Sequence, residues 1–149
     1  MFRPDFISET RIEQGLAITS KKRLLEALAR LLASGPPSMN PDTVFERLLE
    51  RERLGSTGLG HGIALPHARI KDVSEAIGAF VSTTAGVDYD AIDGEPVDLA
   101  FAMLVPEKAT EEHLQLLAQL AGLFSDPLMR KRLREAESAA AILRVFAEL

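Results

Sequence analysis

The chain of 149 residues has no cysteine, which excludes a disulfide framework and a thiolate zinc site and is compatible with a reducing compartment. It has no surplus of positive charge either: 22 acidic residues stand against 17 basic ones, a formal net charge of -5. No nucleic acid is expected as a partner, because phosphate contacts need a basic face. A mildly acidic surface suits a basic protein better. Long apolar runs are missing as well. The N-terminal stretch "MFRPDFISETRIEQGL" holds no apolar signal core, and the longest apolar run, "VDLAFAMLV", is interrupted by an acid and falls far below the roughly 20 residues that cross a bilayer. The expectation is a cytoplasmic protein without membrane insertion. Histidine is scarce, with His61, His67 and His113 making up the 3 in the chain. The carboxylates scattered around them follow no standard zinc spacing, so no metal site is expected. Asp88, Asp90 and Asp93 resemble a cation loop but lack the bidentate glutamate at the EF-hand spacing, and they read as solvated turn carboxylates. No cofactor is expected.

Apolar residues make up 46% of the chain, enough for a proper core in one domain over residues 1–149. After a loose start, "SKKRLLEALARLLASG" places Leu24, Leu25, Leu28, Leu31 and Leu32 on one helical stripe, with Ser20 as N-cap and Gly35 as stop. The breaker "GPPS" follows. "NPDTVFERLLERERL" then predicts a second helix, with Asn40 as cap, Pro41 at the first helical position, and Val44, Phe45, Leu48 and Leu49 buried. "GIALPH", "AIGAFVSTT" and "VDLAFAMLV" have strand content, and the last reads as a strand covered on both faces. "AGVDYDAIDGEP", with its Asp93-Gly94 turn signal, reads as a loop with room for a short strand. "TEEHLQLLAQLAGLF" predicts a helix capped by Thr110 that buries Leu114, Leu117, Ala121 and Phe124, with His113 in its first turn. "DPLMRKRLREA" and "SAAAILRVFAEL" each open on a capping residue and supply two shorter helices. The expected fold is α/β (α+β), a central mixed β-sheet flanked by helices on both faces.

The segment "RERLGSTGLGHGIALPHAR", residues 51–69, concentrates glycines, arginines and two histidines. Nucleotide binding is the first reading to test. A dinucleotide fingerprint lies between a strand and the helix after it, whereas this segment follows a helix and precedes a strand, and no Gly-Lys-Ser/Thr is present for a P-loop. Nor does "GSTG" hold Ser56 in the frame of a hydrolase elbow. A histidine that handles phosphate fits better. Neutral imidazole is a competent nucleophile near neutral pH, and backbone N–H groups around Ser56, Thr57, Gly58, Gly60 and Gly62 can cradle a phosphoryl group. Pro66 fixes how the chain reaches His67, and Arg51 supplies a fork for the phosphoryl oxygens. The residues alone leave a second reading open, in which His67 is a packing or surface histidine, the glycines make turns, and Arg51, Arg53 and Arg69 are solvated charges.

The same segment closely resembles the signature of the fructose/mannitol/nitrogen class of enzyme IIA domains of the bacterial phosphotransferase system. The resemblance extends through "SKKRLLEALARLLA", "AIDGEPVDLAFAMLVP" and "SDPLMRKRLREA". It implies that His67 accepts a phosphoryl group from a histidine phosphocarrier protein of the HPr or NPr type, and that Arg51 and His113, which opens "HLQLLAQLA", complete the site. His61 stands where many relatives carry asparagine or another polar residue, and is expected to be a neighbour of the site. The partner face is expected to be apolar around His67 with acidic residues at its rim. "ISETRI" and "SKKRLLEALARLLA" look most like nitrogen-type members, which implies a phosphotransferase component that regulates targets such as a sensor kinase or a potassium transporter, rather than a stand-alone metabolic enzyme. The alternatives are a sugar-specific IIA component that passes phosphate to a IIB domain, and a docking module that no longer turns phosphate over.

Overall fold

The computed structural model of the chain describes residues 3–35, 38–108 and 110–148; Pro36 and Pro37 of the expected "GPPS" breaker lie outside the described residues. Helix α1 (Lys21–Ala33) starts where Ser20 Oγ accepts the Arg23 N–H. Helix α2 (Pro41–Arg53) starts at Asn40, whose Oδ1 accepts the Asp42 N–H at 2.9 Å. Asn40→Ala leaves that donor without its cap and is expected to cost about 1 kcal/mol, read from chemical denaturation. Gly35 follows α1, but not as a left-handed cap, since its φ is not positive. It instead makes room for Arg11: a Cβ there would lie 3.1 Å from Arg11 Nη1.

Six strands form one sheet: β1 (Ile12–Leu16), β2 (Gly58–Gly60), β3 (Ile63–Ala64), β4 (His67–Ile70), β5 (Ile77–Val87) and β6 (Val97–Pro106). The order is β1-β5-β6-β3-β2, and β4 also pairs with β6. Two contacts are antiparallel, β5 with β6 and β2 with β3, and the rest are parallel. Strands β3 and β4 are successive stretches of one segment, lying against Leu99–Ala100 and then Met103–Pro106 of β6. Leu65 and Pro66 interrupt it, so His67 opens a strand where the sequence predicts it leaves one.

The period-two alternation of β6 divides the core. Ala100, Ala102 and Leu104 face the layer of α1 and α2. Leu99, Phe101, Met103 and Val105 face the layer of α3 (Glu111–Phe124), α4 (Pro127–Glu135) and α5 (Ala139–Ala147), where Phe6, Phe80, Phe101, Phe124 and Phe146 pack as one aromatic group. The sheet is therefore mixed and covered on both faces, as expected.

Two sequence expectations are corrected here. The N-terminal stretch is not loose: a 3-10 turn (Glu9–Arg11) leads into β1, which pairs in parallel with β5. Few apolar residues and a Gly15 at φ +69° hide this strand from pattern reading, and a partner some seventy positions later creates it. In α3, of the residues expected to be buried only Phe124 is, with Leu120 beside it; Leu117 and Ala121 are half-buried and Leu114 is 60% exposed. Residues 111–119 of the helix are exposed or half-buried and full burial begins at Leu120, so Leu114 is left at the cleft.

Candidate functional site

His67 is half-buried at the start of β4, just after the chain is pinned to the sheet by the Met103 N–H donating to the Pro66 carbonyl at 3.0 Å. Its Nδ1 lies 2.8 Å from the Leu65 carbonyl oxygen. That oxygen can only accept, so Nδ1 carries the proton and Nε2 keeps the free lone pair. Burial is the largest cause that pushes the His67 pKa below the ordinary 6.5; the Leu65 hydrogen bond opposes it, the Arg51 guanidinium adds to the lowering, and the Glu52 carboxylate offsets part of it. A proton-detected titration of His67 is therefore expected to give a midpoint below 6.5. Because the unfolded chain then binds more protons than the folded one between the two pKa values, the contribution of His67 to stability is fully present above about 6.5 and is lost as pH falls through the folded value.

His113, at the third position of α3, uses its ring differently. The Thr110 backbone N–H donates to His113 Nδ1 at 3.0 Å. A backbone N–H cannot accept, so Nδ1 holds the lone pair and the neutral ring carries its proton on Nε2. The two histidines thus present complementary atoms, a lone pair from His67 and an N–H from His113. Arg51, in the last turn of α2, rests its Nη1 on the Gly55 carbonyl at 2.9 Å, which holds the guanidinium at the rim. Arg51, His67 and His113 line one open cleft of about 360 Å³, floored by Ala68, Met103 and Val105.

Exposed apolar side chains edge this cleft, Leu54 at 84% and Leu114 at 60% exposure. The charges beside it overturn the expected acidic rim: Arg47, Arg51 and Arg69 line it against a lone Glu50. The spacing explains this, because Arg47 and Arg51 are four apart on one helix face and Arg69 follows His67 by two on one strand face. Arg47 Nε also donates to the Arg69 carbonyl at 3.2 Å, joining α2 to β4.

The glycine cradle does not assemble around His67, for none of Ser56, Thr57, Gly58, Gly60 and Gly62 lines the cleft. The Thr57 N–H and hydroxyl donate to Glu52, and the Gly58 N–H donates to Ser56 Oγ at 3.1 Å. Gly60 and Gly62 shape the β2–β3 turn. Gly62 has φ +81°, and a Cβ there would fall 2.7 Å from Asp98 Oδ1. His61, at φ 57°, is the exposed tip of that turn and lines a separate hollow with Asp98 and Arg134, so it is not a neighbour of the site. Asp93 is a turn carboxylate, accepting from the N–H groups of His61 and Glu95. Among the described residues, no three His, Asp or Glu side chains converge where a metal could sit, and no helix is long and apolar enough to cross a membrane. Glu52, Lys21 and Tyr89 escape sequence reading altogether, since nothing in their spacing marks them as partners.

A mixed sheet carrying a histidine with a free Nε2, beside a second imidazole and an arginine, fits a phosphohistidine protein. Residues 5–149 match the family described as the phosphoenolpyruvate-dependent sugar phosphotransferase system, EIIA 2, and the chain belongs to that family. Within it the chain sides with the nitrogen branch. It is 48% identical over 130 residues to the nitrogen regulatory protein of Pseudomonas aeruginosa, covering 87% of this chain and 84% of that one. It is 43% identical over 145 residues to the nitrogen regulatory protein homolog of Haemophilus influenzae, covering 95% and 88%. The crystal structure of nitrogen regulatory protein IIA-Ntr from Neisseria meningitidis superposes with a TM-score of 0.86 at 43% identity, covering 94% and 95% of the two chains. Sugar-specific members are more distant relatives.

Proposed function

We propose that this chain is a phosphocarrier of the nitrogen-regulatory branch that takes a phosphoryl group on His67 Nε2 from a histidine phosphocarrier protein of the HPr or NPr type. The observation that carries the reading is the opposed tautomers of His67 and His113 in one cleft with Arg51. The Nε2 lone pair attacks phosphorus, the P–N bond to the donor imidazole breaks, and its electron pair returns to the donor ring. The proton stays on Nδ1, donated to the Leu65 carbonyl, throughout. Arg51 and the His113 Nε2–H meet the phosphoryl oxygens, whose charge must be stabilised through a loose transition state.

The exposed Leu54 and Leu114 supply an apolar docking ring. Phosphorylation then places up to two negative charges among Arg47, Arg51 and Arg69, which changes what the face can bind. Targets such as a sensor kinase or a potassium transporter would read that change. The test is incubation with enzyme I, phosphoenolpyruvate and the carrier protein, followed by intact mass measurement. One added phosphoryl group is expected, and none would make the chain a docking module. Fast, saturable discharge of the phosphorylated chain to a fructose-type or mannitol-type IIB domain would overturn the regulatory role in favour of sugar transfer.

A further inference from the structure

Glu52 breaks two local rules at once. It sits in the last turn of α2, where the helix dipole disfavours an acid, and its side chain is only 2% exposed. A buried ion pair is a poor device for stability alone. Its partners come from three places in the fold. Lys21 Nζ, at the first position of α1, lies 2.9 Å from Oε2 and 4.5 Å from the centroid of the Tyr89 ring. The Tyr89 hydroxyl donates to Oε1 at 2.9 Å. Tyr89 is fully buried, and that burial first, then the carboxylate, pushes its pKa far above the ordinary range, so it remains a donor at every working pH. The third partner is Thr57, whose N–H meets both carboxylate oxygens, at 3.1 and 3.3 Å, and whose hydroxyl donates to Oε1.

From Thr57 the connection runs on to the candidate site. The Thr57 carbonyl accepts the Leu65 N–H at 3.0 Å, and the Leu65 carbonyl in turn accepts His67 Nδ1–H at 2.8 Å. Glycines at 55 and 58 flank Thr57, so the backbone there has little stiffness of its own. We infer that Glu52 is a positioning residue: its buried carboxylate clamps Thr57, and through the backbone of Thr57 it holds the Leu65 carbonyl that selects the Nδ1–H tautomer of His67. The inference rests on the phosphocarrier reading for what the ring is held ready to do. It also explains why Thr57 does not serve as part of a phosphate cradle, because both of its donors are already engaged by Glu52.

The test uses Glu52→Gln, which keeps the shape and removes the charge. Two quantities are read on the folded variant: the tautomer of His67, from long-range proton–nitrogen correlations in the phosphate-free protein, and the single-turnover rate of phosphoryl uptake from the phosphorylated carrier. The wild-type ring is expected to be protonated on Nδ1. In Glu52→Gln we expect a mixture of tautomers and uptake slowed about tenfold. The charged and titratable groups facing His67 are Arg47, Glu50, Arg51 and Glu52 from α2, Arg69 from its own strand and His113 from α3. With one negative charge removed from that set, the acid limb of the uptake profile is expected to move to lower pH. A role in stability alone would lower the unfolding midpoint and leave tautomer, rate and pH profile unchanged, and that result overturns the inference. A slower rate with the wild-type tautomer overturns it as well. If Glu52→Gln does not fold, Tyr89→Phe, which removes one donor to the carboxylate and no backbone contact, is judged on the same criteria, with an expected loss of about threefold. Should wild-type protein accept no phosphoryl group, the phosphocarrier reading fails, while the tautomer measurement still decides whether Glu52 positions the ring.

Discussion

A chain carrying His67→Ala is expected to take up no phosphoryl group, even at carrier concentrations and times that charge the wild type fully. The expectation follows from which imidazole atoms hold a lone pair at the cleft. His113 Nδ1 is occupied by the Thr110 N–H, so its remaining nitrogen bears a proton and cannot attack. His61 lines a different hollow on the β2–β3 turn. His67 alone offers a free Nε2 in the cleft, and its depressed pKa keeps that atom unprotonated at neutral pH. In wild-type protein the label should be a phosphoramidate, lost in acid and stable in base. Intact mass before and after brief acid treatment checks both statements. A full equivalent of phosphate on His67→Ala would show that another residue is the acceptor. The alanine variant should otherwise fold normally, because the ring is half-buried and lines an open cleft rather than either half of the core.

Arg51→Lys is expected to slow phosphoryl uptake by about tenfold to a hundredfold while the protein stays folded. Lysine keeps the charge but loses the planar fork. Arginine can rest Nη1 on the Gly55 carbonyl and still direct other N–H groups of the same rigid plane into the cleft. An ammonium group on a flexible stem has no second nitrogen with which to do this. The loss should appear in the transfer step, measured by rapid quench with carrier in excess, more than in carrier affinity, because charge is conserved. The guanidinium also lowers the His67 pKa, and lysine's retained charge should keep most of that effect, so a small change in the His67 titration alongside a large change in rate separates geometry from electrostatics. Transfer at the wild-type rate in Arg51→Lys would remove the guanidinium from the mechanism.

Much of the molecule was legible before folding was considered. The leucine stripe of α1, the Asn40-Pro41 start of α2 and the two-sided burial of β6 all follow from periodicities of 3.6 and 2 that the backbone imposes locally. His67 and Arg51 could be singled out for the same reason, since glycines, proline, histidine and arginine crowd into one short segment. The residues expected to cradle phosphate lie outside the cleft lining, because glycine spacing reports backbone freedom and not its use: Gly62 serves the tight contact with Asp98 and Arg134, and Thr57 serves Glu52.

Strand β1 has too little apolar content to announce itself, and it exists because β5 offers a parallel edge. Leu114 follows the helical pattern of a core residue yet stands exposed at the cleft, because the fully buried part of α3 begins only at Leu120. The tautomers of His67 and His113 depend on single hydrogen bonds to Leu65 and Thr110. The connection from Glu52 to Lys21 and Tyr89 joins residues more than thirty positions apart in either direction. Local chemistry in the chain pointed to most of the elements and to the candidate residues, because propensity and pattern act over a few residues at a time. The protonated nitrogen on each ring, the basic wall of the cleft and the clamp behind it came only with the packing of distant segments, since such contacts depend on distances in space that no spacing along the chain encodes.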